Sequence, residues 1–229
     1  MKKSFKIIAL ITALVLLVSA VFAGCSTNSS DSGSSGDTLK VGVIQYMAHS
    51  SLDNCYVGVK QALDNSGLNI EIDYQIGSSG SADADCQSYA ANMVAQNYDL
   101  IIAIATPAAT AAYSAVTSAS SSIPVIFCAV SDPISAGLVQ SLDAPGNNCS
   151  GTADTFDVES QVELIRALQP DVQNLGVIYT TTESNSLSQL ERLQTAADAA
   201  GIHVVAQGIN DASELAAVSA SLVTQVDAI

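Results

Sequence analysis

Residues 102–110 read IAIATPAAT. Four apolar residues, right for a short buried strand, pass into Thr106 and Pro107 and then into an alanine-rich stretch. Proline at the first helical position loses no hydrogen bond, because that N–H has no partner inside the helix, and the N–H groups after it stay free. The stretch is therefore a strand handing its chain to a helix, and the free donors at such a junction suit the carboxylate of a small ligand. A plain helix cap by Thr106 is the other reading, and the two are compatible.

The same alternation extends in both directions from this junction. LKVGVIQY (39–46), LNIEIDYQI (68–76), DLIIAIA (99–105), IPVIFCAV (123–130), NNCSGTAD (147–154), LGVIYT (175–180), IHVVAQGI (202–209) and VDAI (226–229) read as strands. Between them lie helical stretches at 51–67, 82–97, 107–120, 157–170, 187–201 and 213–225, with a further short helix expected after SDPISAGL (131–138). Strict alternation implies α/β architecture with mostly parallel sheets covered on both faces, and right-handed connections gather the post-strand turns along one edge. A break near Gly151 divides the order into two tandem doubly wound parallel-sheet lobes, 39–152 and 153–229. The chain stops inside the VDAI strand, so the second lobe is expected to be incomplete.

Residues 1–24 stand apart. MKKSFK gives a positive start and IIALITALVLLVSAV an apolar run short for a bilayer span, the pattern of a secretory signal peptide. It ends in FAGC, which resembles the bacterial lipobox; a lipid on Cys25 would then anchor the exported protein to the outer face of the cell membrane, with the polar stretch 25–38 as tether. An ordinary signal peptide with a chance cysteine is the competing reading. The leader holds three of the seven basic residues, leaving Lys40, Lys60, Arg166 and Arg192 against 22 acidic ones. A surface so acidic repels phosphate backbones and excludes nucleic-acid binding.

Cys55, Cys86, Cys128 and Cys149 could form two disulfides, with Cys55 and Cys86 able to meet near their helix starts, or could remain buried free thiols. No CxxC occurs and His49 and His203 are far apart, so no metal site is expected, and no cofactor motif is present. GSSGSADAD (77–85) lacks the lysine of a phosphate loop and reads as a loop entering a helix. Its Asp83 and Asp85 read as solvated helix-start acids rather than calcium ligands. His49 is the one histidine at a strand-to-helix junction, but no nucleophile motif accompanies it, and no catalytic residue is assigned. Ligands in such sheets bind beyond the carboxyl ends of the strands, here Gln45 to Ser50, Gly77 to Asp83, Thr106, Pro107, Ser131 to Pro133, Asp154 and Thr181 to Ser186.

VGVIQYMAHSSLD, DLIIAIATPAATAA, IPVIFCAVSDPISAGLV, NNCSGTAD and LGVIYTTTESNS, in this order, resemble the substrate-binding lipoproteins of ABC transporters of the tryptophan/tyrosine type, which have the type I periplasmic-binding fold. The resemblance covers residues 39–229 and implies a small ligand, often an amino acid, enclosed between two hinged lobes and passed to a membrane ABC permease. Carried over position by position, it places ligand contacts at Gln45, Tyr46 and His49, at Ala105, Thr106 and Pro107, at Ser131 and Asp132, at Asp154, and at Ser184 and Asn185. Asp132 and Asp154 would meet an ammonium group, while Thr106 and the helix starts would hold a carboxylate. Stacking on an aromatic ligand would fall to Tyr46, Tyr113, Phe127 or Tyr179. The family's chain continues past the VDAI strand and returns to the first lobe. A lipoprotein that senses a ligand and signals to a membrane receptor is the alternative role.

Overall fold

The first sheet grows from the alternation of side chains along its strands. The structure, a computed structural model, describes residues 38–229, so the leader, Cys25 and nearly all of the tether lie outside the described residues. Strands β1 (Leu39–Gln45), β2 (Ile70–Ile76), β3 (Leu100–Ile104), β4 (Val125–Val130) and β5 (Cys149–Ala153) form a parallel sheet in the order β2-β1-β3-β4-β5. One face carries Val41, Val43, Ile102 and Ile104 and is covered by helix α1 (Ser50–Asp64) through Leu52, Cys55, Tyr56 and Val59. The other carries Ile44, Ile101, Ala103, Val125 and Phe127 and is covered by α2 (Ala82–Ala95) and α3 (Thr106–Ser118). Alanines at 108, 109 and 112, all 0% exposed, let α3 lie close against the strands.

β4 and β5 slip register between Phe127 and Val130, and there Ala129 takes φ 55°. Residues 131–138 fold as the expected turn, around Asp132 and Pro133, where Ala136 N–H donates to Asp132 O and Leu138 N–H to Pro133 O, while residues 139–148 form bends and irregular chain in place of the short helix expected there. Proline at 133 and glycine at 137 with φ 70° suit turns better than a helix.

The second sheet pairs β6 (Asn174–Thr180) with β7 (His203–Ile209), parallel and in continuous register. Helices α4 (Val158–Leu168) and α5 (Ser184–Ala199) pack around Val162, Leu175, Ala197 and Ile202, and α6 (Leu215–Leu222) follows a 3-10 turn capped by Asp211. The VDAI stretch begins to pair on the free edge of β6, where Leu175 bridges Ala228 and the Asp227 carboxylate accepts from the backbone N–H groups of Gln173 and Asn174. Those backbone bonds hold its pKa below the usual aspartate value.

The placement of α1 and α2 on opposite faces of the sheet separates two of the cysteines. Cys86 packs on the α2–α3 face and Cys55 on the α1 face, so the sheet stands between them and, of the two readings, the free thiols are what the structure has. All four are free thiols; burial pushes Cys86 up to about 12 and Cys149 up to about 11.

Candidate functional site

The carboxyl ends of both sheets face one crevice. A cavity of about 710 Å³ lies between α2, α3 and the start of α5, lined among others by Asp83, Pro107, Thr110, Thr182, Glu183 and Ser184. A second, about 480 Å³, lies between the Tyr46–Met47 and Ser79–Asp83 loops of the first lobe and Thr180, Thr182, Glu183 and Asn210–Asp211 of the second. They share Asp83, Thr182 and Glu183 and so form one crevice of the size that takes a small molecule. Acidic side chains enter it from both lobes, and among the described residues no lysine or arginine lines it.

At the junction that opens the sequence, Ala105 holds φ 80°, ψ 156°, a region natural to glycine. Its N–H donates to Cys128 O and its carbonyl accepts from Ala109, which aims the start of α3 and brings Pro107 to the crevice wall. Ala105 rather than Thr106 occupies the capping position, and no side chain caps this helix. Thr106, 3% exposed, is the first residue inside the helix, where its carbonyl accepts from Thr110 Oγ1. The strain costs about 1–3 kcal/mol. Ala105→Gly is accordingly expected to raise the unfolding free energy by about 1 kcal/mol, seen as a melting shift of roughly 2–4 °C. A lowered melting temperature would show that the conformation is not strained.

Gln45, expected as a ligand contact, is buried and lines neither part of the crevice. It is 0% exposed, its amide donates to Met47 O (2.8 Å) and Asp53 Oδ1 (2.7 Å), and its oxygen accepts from Tyr74 OH (2.6 Å). With every strong bond made inward it fixes the loop that turns the next residue, Tyr46, into the crevice. Burial, then Asp53, pushes the Tyr74 phenol up to about 12. Burial also raises the Tyr46 phenol, followed by the negative charges of Asp83 and Glu183. Tyr46 thus lies beside a carboxylate from each lobe.

His49 is exposed, caps α1 by accepting from Ser51 N–H, and lines neither part of the crevice. Asp132, expected as a ligand contact, lines neither part of the crevice; its Oδ1 accepts from Ser135 N–H, and its Oδ2 accepts from Ser188 Oγ on α5 at 2.9 Å, a bond between the lobes. Asp154 is exposed, its N–H donates to Val130 O, and it too lines neither cavity. Ser184 lines the crevice at the start of α5. Ser131 and Asn185 meet in a separate cavity of about 380 Å³ with Phe156, Tyr179 and Gln189. There Asn185 Oδ1 and both polar atoms of the Gln189 amide are buried without partners. Of the aromatic candidates, Phe127 is core and Tyr113 OH accepts from Asn147, which leaves Tyr46 and Tyr179 at cavity walls.

Asp211 lies outside the strand-end positions read from the sequence, whereas Asp83 and Glu183 fall within them without being singled out as ligand contacts, because acids at helix starts are common as mere caps. Their signal lies in position, each just past the carboxyl end of a strand.

Two α/β lobes whose strand ends face each other across such a crevice define a bilobal solute-binding protein of the type I periplasmic fold. Residues 40–229 match the family described as ABC transporter substrate binding protein, and the chain belongs to that family. It is 40% identical to a tyrosine-binding protein of Clostridioides difficile over 238 residues, covering 99% of this chain and 67% of the relative. A Streptococcus pneumoniae ABC domain in complex with L-Trp superposes with TM-score 0.76 at 35% identity, over 83% of this chain and 63% of that one. The ligand-free, open structure of a Clostridium difficile substrate binding protein with adhesive properties reaches 0.57 at 38% identity, over 82% and 63%. The chain thus spans about 63% of the length of both structures.

Proposed function

We propose that the protein is the extracytoplasmic solute-binding component of an ABC importer and that its ligand is an amino acid, with an aromatic side chain. The observation that carries this reading is the crevice between the two lobes, lined by carboxylates and small polar groups and, among the described residues, by no cationic side chain. Such a lining favours a ligand that brings its own positive charge, and the free N–H groups at the start of α3 favour one that also carries a carboxylate. Asp83 and Glu183 take the ammonium group, the role expected of Asp132 and Asp154; Tyr46, Pro107 and Ser184 complete the wall. The cavity at Ser131 and Asn185 receives the side chain, with Phe156 and Tyr179 offering rings and the Gln189 amide offering unmade hydrogen bonds. The names of the relatives, one binding tyrosine and one holding L-Trp, support the aromatic choice.

Residues 39–152 and 153–229 serve as the two lobes, and leader, lipidated Cys25 and tether hold them at the outer face of the membrane. Among the described residues no helix is long and apolar enough to cross a membrane. The work is closure around a solute, a shift of population with no bond made or broken.

Thermal melting of the purified chain with L-tyrosine, L-tryptophan, L-leucine and the aromatic acids lacking the amino group tests the reading. Saturation at about 100 times Kd adds about 2.7 kcal/mol, or roughly 5–10 °C, for the aromatic amino acids. No shift with either aromatic amino acid, or an equal shift with the acids lacking the amino group, would refute it.

A further inference from the structure

We propose that Cys55 and Cys128 are an oxidisable pair that forms a single intrachain disulfide, stapling α1 to β4 beneath two crevice loops. Cys55 lies one turn into α1, and Cys128, on the strand face opposite Phe127, points to the side that α1 covers. Both pack against the same cluster of Val41, Val43, Ile102 and Ile104, and α1 touches β4 directly. Both are half-buried, whereas Cys86 and Cys149 are sealed in the core of the opposite face. The Cys55 thiol is held up first by burial and next by the neighbouring Cys128 thiol.

The location gives the bond a purpose. Cys55 follows the loop that Gln45 and Asp53 fix around Tyr46, and Cys128 precedes the Ser131–Pro133 turn by three residues. Its carbonyl also accepts from Ala105 N–H, at the strained junction. A covalent tie here joins the supports of three loops of the first lobe and leaves the second lobe free to move.

The oxidant is a protein or small-molecule disulfide. One cysteine thiolate attacks it, breaking the oxidant's S–S bond and forming a mixed disulfide. The other thiolate then attacks the first cysteine's sulfur and releases the oxidant as two thiols, so the protein loses two hydrogens and the oxidant gains them. The bond would close residues 55–128 into a loop, which stabilises chiefly by restricting the unfolded chain.

Full chain is incubated with glutathione disulfide, alkylated, digested without reduction and read by mass spectrometry. A peptide pair joining Cys55 to Cys128, two hydrogens lighter than its parts, is expected, and is lost in Cys55→Ser and kept in Cys86→Ser. Oxidised protein should melt roughly 10 °C above the reduced form, a difference that vanishes in Cys128→Ser. Alkylation of both residues after oxidation, or linkage of either to Cys25, Cys86 or Cys149, would overturn the proposal. Ligand binding by the reduced protein reports separately on the solute-binding role.

Discussion

Gly77→Ala should unfold the protein about 3 kcal/mol more easily and weaken ligand binding at least tenfold, although it adds one methyl group. Gly77 ends β2 at the crevice, its N–H donating to Gln45 O at 3.0 Å. A Cβ there would overlap the Tyr46 carbonyl oxygen and stand 3.0 Å from Cα and Cβ of Ala82. These obstacles are backbone or bound to it, so the clash is relieved only by parting the Tyr46 loop from the start of α2. Tyr46 and Asp83, two of the crevice residues of the first lobe, would move with them. The melting temperature should drop by roughly 6–12 °C. Gly58→Ala is the control: in the middle of α1, with nothing within 4 Å of the added methyl, it should stabilise by about 0.5–1 kcal/mol through helix propensity. Equal melting of the two variants would mean that close approach at Gly77 is not what holds the loop.

That contrast shows what the sequence discloses. Strand parity is legible because Val41, Val43, Ile102 and Ile104 must be buried on one face and Ile44, Ile101 and Ala103 on the other, and burial of apolar surface tolerates no slip of register. The Thr-Pro junction is legible for the same reason that proline is tolerated there. The inward turn of Gln45 is not, since a glutamine after a strand serves equally to contact a ligand or to tie a loop, and Tyr74 and Asp53 decide the matter from elsewhere in the chain. Nor is Ala105 at positive φ, because alanine normally avoids that conformation and only the fold around it enforces it. The Asp132–Ser188 bond spans 56 residues and two lobes, a distance over which residue type alone gives no pairing.

Neutralising the two crevice acids together, Asp83→Asn with Glu183→Gln, should raise Kd for L-tyrosine by about 100-fold or more. Hydrogen bonds to a charged partner contribute about 1.5–3 kcal/mol each, and here both partners of the ammonium would lose their charge while keeping their shape. Each residue sits in the first turn or at the head of a helix, and each lines both parts of the crevice. Because one comes from each lobe on either side of Tyr46, on the proposed reading their mutual repulsion opposes closure until a cationic ligand offsets it. This gives a second, opposite-signed expectation. The double variant should bind the tyrosine analogue lacking its amino group more tightly than the unaltered protein does, since closure no longer places an anion beside two carboxylates. Calorimetry of both ligands against both proteins reads the crossing directly. Parallel losses for the two ligands would point to damaged packing, and unchanged affinity for L-tyrosine would remove these acids from the site.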